Sequence, residues 1–484
     1  MFEKKLSQII SQSLKVHPTV SQQTAIDEIS KFLYDDDQYS IFLLKGYAGT
    51  GKTLLVSTLV NVLVQFRIKT ELMAPTGRAA KVLSSYAQKQ AFTIHKKIYR
   101  QQSSSDGMGK YVLDFNKASN TLFIVDEASM ISNSSPEQTI FGSGQLLDDL
   151  IEYVYNGKNC RLMLVGDTAQ LPPVGLIVSP ALDIKVLEDY HMTLFTAILS
   201  DVVRQAEESG ILYNATAIRL NIKHNRINEF FPIKVTGFDD LYRINGDELI
   251  ECLSDCYVRF GESETIVVTR SNKRANKFNE GIRQSILWRE SELTSGDMLM
   301  IVKNNYHWID PEGRLDFIAN GDIAKVIRVH KTEEMYGFRF ANVTLQFIDY
   351  DELELECKIF IDTLSLEAAS FGNDENQRLF NAIQEDYSHI ANRKKRFQEI
   401  RENPYFNALQ VKYAYAVTCH KAQGGQWDAV FIDHGYLLKE MLNIDFLRWI
   451  YTAFTRPKTR LYLVNFDKQF FGEVDEKDTE WKTE

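Results

Sequence analysis

The residues with the clearest chemistry form a glycine-rich loop, Gly46-Tyr47-Ala48-Gly49-Thr50-Gly51-Lys52-Thr53, which fits the pattern G-x-x-x-x-G-K-[ST]. Glycines let the backbone curl so that its N–H groups face inward, toward a phosphate. The lysine of such a loop can reach the β- and γ-phosphates, and its threonine hydroxyl can ligate Mg²⁺. The loop therefore predicts binding of ATP and Mg²⁺, with Gly46, Gly49, Thr50, Gly51, Lys52 and Thr53 as the binding residues.

The segments around this loop supply the structural context that the pattern needs. The run from Ser40 to Leu44 is short and apolar, which is typical of a buried strand. The segment from Leu54 to Phe66 carries apolar residues at helical spacing. A helix that begins directly after the loop adds partial positive charge where a phosphate would lie.

Two further strand ends carry polar residues suited to phosphate hydrolysis. The apolar run Phe123–Val125 ends in Asp126 and Glu127. We expect Asp126 to hold Mg²⁺ through water and Glu127 to polarise the attacking water. Gln170 follows the apolar run that begins at Leu162, and its amide could bond the γ-phosphate or that water. These residues predict an ATP hydrolase.

Composition bounds the class of protein. The chain has 484 residues, which predicts roughly three units, and no apolar run approaches the roughly 20 residues that span a bilayer. The N-terminus lacks an apolar signal core, and the five cysteines are scattered without a zinc-site pattern. A net charge of −10 argues against a protein that coats nucleic acid, although it allows a local basic groove. We expect a cytoplasmic protein with no membrane contact.

Short apolar runs alternate with helical patterns in both halves of the chain. This alternation predicts an α/β fold with two units, each a parallel sheet covered by helices. The strand candidates are Ile41–Leu44, Leu72–Ala74, Leu122–Val125 and Leu162–Val165 in the first half, and Thr265–Val268, Tyr413–Val417, Ala429–Ile432 and Leu461–Val464 in the second.

Two segments interrupt the alternation. Residues 101–120 are rich in Ser, Gly and Asn and predict a small hairpin. From Gly296 to Asp362, strand-like runs separated by turns predict a small all-β module. Ser365 to Asn407 is helical in pattern and highly charged.

Taken in order, these motifs resemble the superfamily 1 helicases, specifically the RecD-like and Dda-like branch. The resemblance covers nearly the whole chain, from about residue 19 to 466. It is carried by TVSQQTAI, GYAGTGKT, APTGRAAKVL, TIHKKIY, VDEASM, GDTAQLPPVG, DVVRQ, AVTCHKAQGGQWD and YTAFTRPKTRL.

The resemblance implies roles on the nucleotide side. Gln22 matches a glutamine that contacts adenine, and Gly425 matches a glycine near the nucleotide. Arg204 and Arg456 match arginines that reach the γ-phosphate. Two such cations from the second unit would stabilise charge on the phosphates, as arginine fingers do, and would draw the two units together when ATP is present.

The resemblance to superfamily 1 helicases also implies a channel for a nucleic-acid strand across both units. In the family, such positions contact phosphates without reading sequence. The matching residues are Pro75, Thr76, Arg78, Thr93, His95, Thr418, His420 and Lys421. Phe92, Tyr306 and Trp308 are aromatic candidates for base stacking, with core packing as the alternative.

The implied architecture is two RecA-like P-loop domains with a small pin insertion and an SH3-like β insertion. The expected ranges are 1–190 for the first domain with the pin at about 100–120, 191–293 plus 411–484 for the second, and 294–410 for the β insertion with its charged helical segment.

The resemblance implies an ATP-dependent DNA helicase that moves 5′ to 3′ along single-stranded DNA and opens a duplex with a 5′ tail, and a monomer suffices for this mechanism. Two alternatives stay open. One is a nucleic-acid-stimulated ATPase switch or remodeller without strand separation, which the short, polar pin segment favours. The other is an RNA helicase of the same superfamily.

Overall fold

The computed structural model describes residues 2–102, 110–133, 142–202, 208–310 and 317–473. Within these ranges the chain forms two parallel sheets, one antiparallel sheet and one two-stranded ribbon. We refer to residues 2–199 as unit 1, to residues 208–297 and 414–473 as unit 2, and to residues 298–413 as the β insertion. The fold is therefore the predicted mixed α/β arrangement of two units with a β insertion in the second.

Unit 1 is a parallel sheet with helices on both faces, and its strands lie in the order β3-β2-β6-β7-β1-β8. Its helices are α1 Phe2–Ser13, α2 Val20–Tyr34, α3 Lys52–Gln65, α4 Gly77–Ala87, α5 Ile94–Ile98, α6 Leu146–Tyr155 and α7 Ile184–Glu188. Its strands, including the ribbon strands β4 and β5, are β1 Ser40–Gly46, β2 Lys69–Ala74, β3 Ala91–Thr93, β4 Tyr99–Gln102, β5 Lys110–Leu113, β6 Ser119–Val125, β7 Lys158–Gly166 and β8 Thr193–Leu199.

The central strand β1 shows why this sheet is covered on both faces. Phe42 and Leu44 pack into one hydrophobic cluster with α1, α2 and α3, whereas Ile41 and Leu43 pack into another with α6. Successive side chains of a strand point to opposite faces, so a continuous apolar run needs a helical layer on each side. The carboxyl ends of β1, β6 and β7 consequently meet at one edge of the sheet, which is where parallel α/β sheets bind ligands.

Unit 2 has a second parallel sheet with the strand order β16-β10-β17-β18-β9, in which β16 is Ala416–Thr418, β17 is Trp427–Asp433 and β18 is Pro457–Val464. Its hydrophobic cluster includes Ala169 and Leu171 of unit 1, so the two units share a packed boundary. Its elements before the β insertion are α8 Gly210–Lys223, β9 Leu241–Ile244, α9 Leu249–Phe260, β10 Thr265–Thr269 and α10 Asn272–Ser285.

The β insertion is an antiparallel sheet with the strand order β14-β13-β12-β11-β15. Its elements are β11 Met298–Ile301, β12 Ile323–Met335, β13 Phe338–Phe347, β14 Leu353–Phe360, α11 Asn373–Asp386, α12 Arg393–Glu402 and β15 Val411–Tyr413. The two helices cover the sheet through an aromatic cluster that includes Phe338, Phe340 and Phe371. The all-β module and the helical segment predicted from sequence are both present, while the SH3-like comparison stays a prediction.

The chain then returns to unit 2 to complete its sheet. These last elements are β16 Ala416–Thr418, α13 Cys419–Ala422, β17 Trp427–Asp433, α14 Ile444–Phe454 and β18 Pro457–Val464. The prediction of one strand over Tyr413–Val417 was wrong, because the chain crosses between two sheets there. β15 pairs with β11 of the β insertion, and β16 pairs with β10 of unit 2.

The predicted boundary between the first and second domains, at residues 190 and 191, was also wrong. β8 follows that boundary and pairs in parallel with β1 along its whole length, from Ser40 with Thr193 to Gly46 with Leu199. Because hydrogen bonds tie β8 into the first sheet, unit 1 extends at least to residue 199. The remaining domain limits stay predictions.

The predicted pin segment corresponds in part to the ribbon formed by β4 and β5, which pair in antiparallel register from Tyr99 with Leu113 to Gln102 with Lys110. Residues 103–109, which connect the two strands, lie outside the described residues. The ring of Tyr111 packs against the ring of Tyr306, with centroids 4.5 Å apart. The ribbon is thus held against the segment that follows β11, and Tyr306 serves packing rather than an open stacking position.

Among the described residues, no helix is long and apolar enough to cross a membrane. All five cysteines, which are Cys160, Cys252, Cys256, Cys357 and Cys419, are free thiols. The cytoplasmic location stays a prediction from the sequence.

Candidate active site

The phosphate loop has the backbone that its glycines were expected to provide. Gly49 and Gly51 have φ angles of 73° and 81°, in the left-handed region that favours glycine, and Gly51 caps the N-terminus of α3. A Cβ at Gly46 would lie 2.7 Å from Cγ of Lys52. Larger residues at these positions would therefore displace the loop or its lysine.

Lys52 lies folded over the loop. Its Nζ donates to the carbonyl oxygens of Gly46 and Tyr47 at 2.8 and 3.1 Å, and it lies 3.9 Å from Oδ2 of Asp167. A phosphate entering the loop would offer this ammonium group a charged acceptor in place of two neutral ones.

Gln22 and Thr50 brace the loop from beneath. Gln22 is 1% exposed, and its Nε2 donates to the Thr50 carbonyl at 3.0 Å. Its Oε1 accepts from the backbone N–H of Thr19 at 3.0 Å, which closes a capping box at the start of α2. The Thr50 hydroxyl donates to the Tyr47 carbonyl at 2.7 Å. Gln22 is thus next to the loop, while its contact with adenine stays a prediction.

Asp126 and Glu127 lie directly after β6, beside the loop. Burial raises the pKa of Asp126 to about 6, and the neighbouring negative charge of Glu127 acts in the same direction. Glu127 has a φ of 53°, an unusual value for a residue with a side chain, and its N–H donates to Oδ1 of Asp126 at 2.9 Å. This backbone turns the two adjacent carboxylates toward one cleft.

The cleft has a volume of about 340 Å³ and is bounded by both units. Unit 1 contributes the phosphate loop, the two carboxylates and Gln170, and unit 2 contributes Ser209–Leu212 and Phe454–Lys458. Thr53 and Asp126 both line it, so a hydroxyl and a carboxylate oxygen face the same space. That donor set fits Mg²⁺, which commonly takes one or two protein oxygens together with water and substrate phosphates.

Arg456 reaches this cleft from the end of α14. It is 2% exposed, and its guanidinium donates to the carbonyls of Thr452 and Gly425 and to the Thr455 hydroxyl at 3.0, 3.2 and 2.7 Å. Within the described part of the chain, none of its partners is a carboxylate. A buried cation with only neutral acceptors favours the arrival of an anion. Arg204, the other predicted arginine, falls in 203–207, outside the described residues.

Gln170 and Gly425 lie at the boundary between the units. Gln423 of unit 2 donates through Nε2 to the Leu171 carbonyl at 2.9 Å and to Oε1 of Gln170 at 3.4 Å. A Cβ at Gly425 would lie 2.4 Å from the ring of Trp427, so this glycine permits close packing. Its described contact with the site is indirect, because its carbonyl holds Arg456.

The threonines predicted to contact nucleic acid occupy equivalent places in the two units. Thr76 follows β2 and accepts from Ala79 N–H at the start of α4, with Pro75 just before it. Thr93 ends β3 and accepts from Lys96 N–H at the start of α5. Thr418 ends β16 and precedes α13. Each threonine therefore joins the carboxyl end of a strand at the edge of its sheet, or next to the edge, to a following helix.

The cations and histidines of the predicted channel differ in their surroundings. Burial lowers the pKa of His95 to about 4, so its ring is neutral near pH 7, whereas His420 is exposed. Burial lowers the pKa of Lys421 to about 8. Lys412, which the sequence did not single out, is 5% exposed, and burial and the charge of Lys421 lower its pKa to about 8.

Arg78 was predicted to contact nucleic acid, but the structure places its guanidinium between the two units. It donates to the Gln426 carbonyl at 3.0 Å and lies 4.4 Å from the centre of the Trp427 ring. It is also 3.9 Å from Glu264. With these three contacts in unit 2, Arg78 joins the units, while its contact with nucleic acid stays a prediction.

The β insertion also contacts α4 of unit 1. A Cβ at Gly77 would lie 2.6 Å from Oδ1 of Asp322 and 2.9 Å from the hydroxyl of Tyr350. Lys81 lies 3.5 Å from Oδ1 of Asp349. The glycine in the APTGRAAKVL motif thus allows the β insertion to approach the start of α4 closely.

Two site residues escaped the sequence analysis. Asp167 follows β7 and is 1% exposed; burial raises its pKa, while Lys52 and the hydroxyl of Tyr451 act in the opposite direction. Tyr451 lies on α14 and bonds both Asp167 and the phosphate loop. Both residues lie within motifs quoted above, GDTAQLPPVG and YTAFTRPKTRL, but their bond spans 284 residues and no local pattern indicates it.

Comparison with known proteins finds two family models and several related helicases. Residues 19–229 match the AAA domain model AAA_30, and residues 413–464 match the UvrD-like helicase C-terminal domain model. The ATP-dependent DNA helicase Dda of Enterobacteria phage T4 is 24% identical over 86% of this chain and 92% of its own length. The ATP-dependent RecD2 DNA helicase of Deinococcus radiodurans is 28% identical over 44% of this chain and 28% of its own length.

A solved structure has a similar extent. The crystal structure of a Bacteroides Pif1 helicase in complex with ADP-AlF3 and single-stranded DNA aligns over 97% of both chains, with a TM-score of 0.46 and 14% identity. The first family model covers most of unit 1 and the start of unit 2, and the second covers the C-terminal part of unit 2. Together, these matches support a superfamily 1 helicase of the RecD and Dda type.

Proposed function

We propose that this protein is an ATP-dependent DNA helicase that hydrolyses ATP to move 5′ to 3′ along single-stranded DNA and to separate duplex strands. The observation that carries the proposal is the cleft bounded by both units, with Lys52, Asp126 and Glu127 on one side and the buried Arg456 on the other. The 5′-to-3′ direction rests on the kinship with Dda and RecD2 rather than on any contact.

The residues of the cleft divide the work of hydrolysis. Lys52 and the loop amides bind the phosphates, and Thr53 and Asp126 would hold Mg²⁺. When bound, this ion neutralises charge on the β- and γ-phosphates. Glu127 accepts a proton from the attacking water, and Gln170 orients that water or the γ-phosphate.

Arg456 links hydrolysis to movement. Because it belongs to unit 2, it stabilises the charge on the phosphates only when the two units lie close together. ATP therefore favours the closed cleft, and loss of the γ-phosphate removes the anion that holds Arg456 in place. Opening and closing of the cleft change the distance between the two groups of nucleic-acid residues.

The strand would cross both units over the threonines at the ends of β2, β3 and β16. Hydroxyl groups and backbone amides at such positions bind phosphates without reading bases. Lys421 of unit 2 and Lys412 of the adjoining β insertion add positive charge, which offsets the net charge of −10 locally. This arrangement supports binding of single strands of any sequence.

The ribbon of unit 1 is the candidate for the pin that parts the duplex. Its support by Tyr306 would keep it fixed while the strand moves past it. One chain supplies both sides of the ATP cleft, so we infer that a monomer is a complete motor.

The test is unwinding of a short DNA duplex that carries either a 5′ or a 3′ single-stranded tail, with ATP and Mg²⁺. We expect unwinding only with the 5′ tail, and none with Lys52→Ala. Unwinding only from the 3′ tail would overturn the direction. ATPase stimulated by single strands without any unwinding would instead indicate a switch or remodeller, and faster action on a matched RNA substrate would indicate an RNA helicase.

A further inference from the structure

Two side chains of unit 2 contact consecutive residues of the phosphate loop. The N–H of Ala48 donates to the hydroxyl oxygen of Tyr451 at 2.9 Å. The guanidinium of Arg219, on α8, lies 4.4 Å from the centre of the Tyr47 ring. Unit 2 therefore contacts the turn of the loop that precedes Lys52 from the opposite side of the cleft.

Tyr451 has a second partner in unit 1. Its hydroxyl donates to Oδ2 of Asp167 at 2.7 Å, and the same oxygen lies 3.9 Å from Nζ of Lys52. Tyr451 is 1% exposed, so water does not compete for these bonds. One hydroxyl thus joins the loop backbone, the acid beside the loop lysine and helix α14.

Helix α14 carries other contacts in the same direction. The Thr452 hydroxyl accepts from the N–H of Leu171 at 2.9 Å. Arg456 follows the C-terminus of the helix and is fixed to it through the Thr452 carbonyl. Tyr451 and Arg456 consequently move with one helix, and a shift of one relative to unit 1 shifts the other.

The approach of a phosphate would disturb this arrangement at Lys52. The lysine now shares its protons between the Gly46 and Tyr47 carbonyls, and it attracts Asp167. Once the lysine turns to a phosphate, the Tyr47 carbonyl loses a donor and Asp167 loses its nearest cation. Tyr451 and the Ala169 N–H are then the described partners left to hold Asp167.

We propose that Tyr451 and Arg219 form a clasp through which unit 2 registers the state of the phosphate loop. Both are positioning residues that act through Ala48, Tyr47 and Asp167, without touching the nucleotide. The clasp ties occupancy of the loop to the placement of α14, and hence to the placement of Arg456. This inference rests on the proposed function, because it concerns how the same ATP site controls the motor.

The test compares two tyrosines with matching bonds. Tyr415 accepts from the N–H of Met298 at 3.0 Å and donates to Asp297 at 3.2 Å, but it lies at the root of the β insertion. Tyr451→Phe and Tyr415→Phe therefore remove the same kind of group from two places. ATPase rates with and without single-stranded DNA, KM for ATP and Kd for ADP are measured for both.

For Tyr451→Phe we expect the DNA-stimulated kcat to fall by about tenfold to a hundredfold, as for a misplaced catalytic group. KM for ATP and Kd for ADP should stay within about threefold, since the loop amides and Lys52 remain. Tyr415→Phe should keep its kcat within about twofold. An equal kcat for wild type and Tyr451→Phe would overturn the clasp.

A second variant keeps the test decisive if Tyr451→Phe fails to fold. Arg219→Leu removes the contact with the Tyr47 ring while keeping an apolar side chain on α8, and the same loss of kcat with unchanged Kd for ADP is expected. A wild-type protein without ATPase activity would sink the proposed function itself. If the wild type hydrolyses ATP and the Tyr451→Phe and Arg219→Leu variants keep its kcat, the clasp proposal is wrong while the proposed function stands.

Discussion

The molecule has two joints built from the same parts, and they differ in how their charges are balanced. At the root of the β insertion, Asp297 bonds Arg283 at 2.9 and 3.0 Å and Arg289 at 3.0 Å, and Tyr415 completes the cluster. At the ATP cleft, Tyr451 bonds Asp167, but Arg456 has only neutral partners among the described residues.

The difference separates a structural joint from a working one. In the first joint each buried charge has an opposite charge in contact, so the cluster is complete in itself. In the second, the buried Arg456 and Asp126, whose pKa is raised, face a cleft, and Asp167, whose pKa is also raised, lies beside Lys52 of the loop. Such a site is completed by a ligand that carries both signs, as ATP with Mg²⁺ does.

Removing the cation of the ATP joint should have the largest effect. We expect Arg456→Ala to lower kcat for ATP by about 10³-fold or more, the range found for arginine fingers. Arg243→Ala is the matched control, because Arg243 lies in the same unit and forms a surface pair with Glu473. Steady-state ATPase assays with saturating single-stranded DNA measure kcat for both variants. An Arg456→Ala variant with the kcat of wild type would contradict the distinction between the two joints.

Removing the anion of the structural joint should change stability instead. Asp297→Ala leaves Arg283 and Arg289 without their shared carboxylate, and we expect a loss of about 3–5 kcal/mol in the free energy of unfolding. Urea unfolding measures the loss, with Asp362→Ala as a control at a more exposed acid that pairs with Arg339. An Asp297→Ala variant as stable as wild type would show that the charge cluster at the root of the β insertion does not stabilise the fold.

A smaller effect is expected at the contact between α4 and the β insertion. Burial raises the pKa of Asp322 from 3.8 to about 7, and the charge of Asp349 adds to the shift. Between these pH values the folded state holds a proton that the unfolded state releases, so the free energy of unfolding falls as pH rises.

Asp322→Asn removes this penalty. At pH 8 we expect the variant to be more stable than wild type by about 1–3 kcal/mol, and the difference should vanish near pH 4. Urea unfolding across this pH range measures it. A difference that does not depend on pH would show that the carboxyl group is ionised at no cost.

Sequence patterns predicted the parts of the fold that local chemistry determines. The central strands of both sheets are continuous apolar runs. In the first sheet, the strands β2, β6, β7 and β1 are parallel neighbours, so the motifs that follow them meet at one edge of the sheet. β8 was missed because it is an outer strand in which exposed and buried residues mix, from Thr193 to Leu199. Its partner is set by tertiary pairing with β1, which no local pattern reveals.

The site was predictable to a similar extent. The loop, the two carboxylates, Gln170 and Arg456 lie around one cleft, as their motifs suggested, although their roles in catalysis stay predictions. The contacts of Arg78 with Gln426 and Trp427 were not foreseen, because these partners are distant in sequence. Tyr451 and Asp167 were overlooked for the same reason, since their significance lies in a bond between units.

The most direct test of the motor is the distance between the two units. Labels at the exposed positions Lys69 and Val258, in a Cys252→Ser background, report on it without touching the cleft. A non-hydrolysable ATP analogue should shorten this distance in wild type and leave it unchanged in Arg456→Ala. An unchanged distance in wild type, or the same shortening in both proteins, would contradict the claim that Arg456 couples ATP to closure.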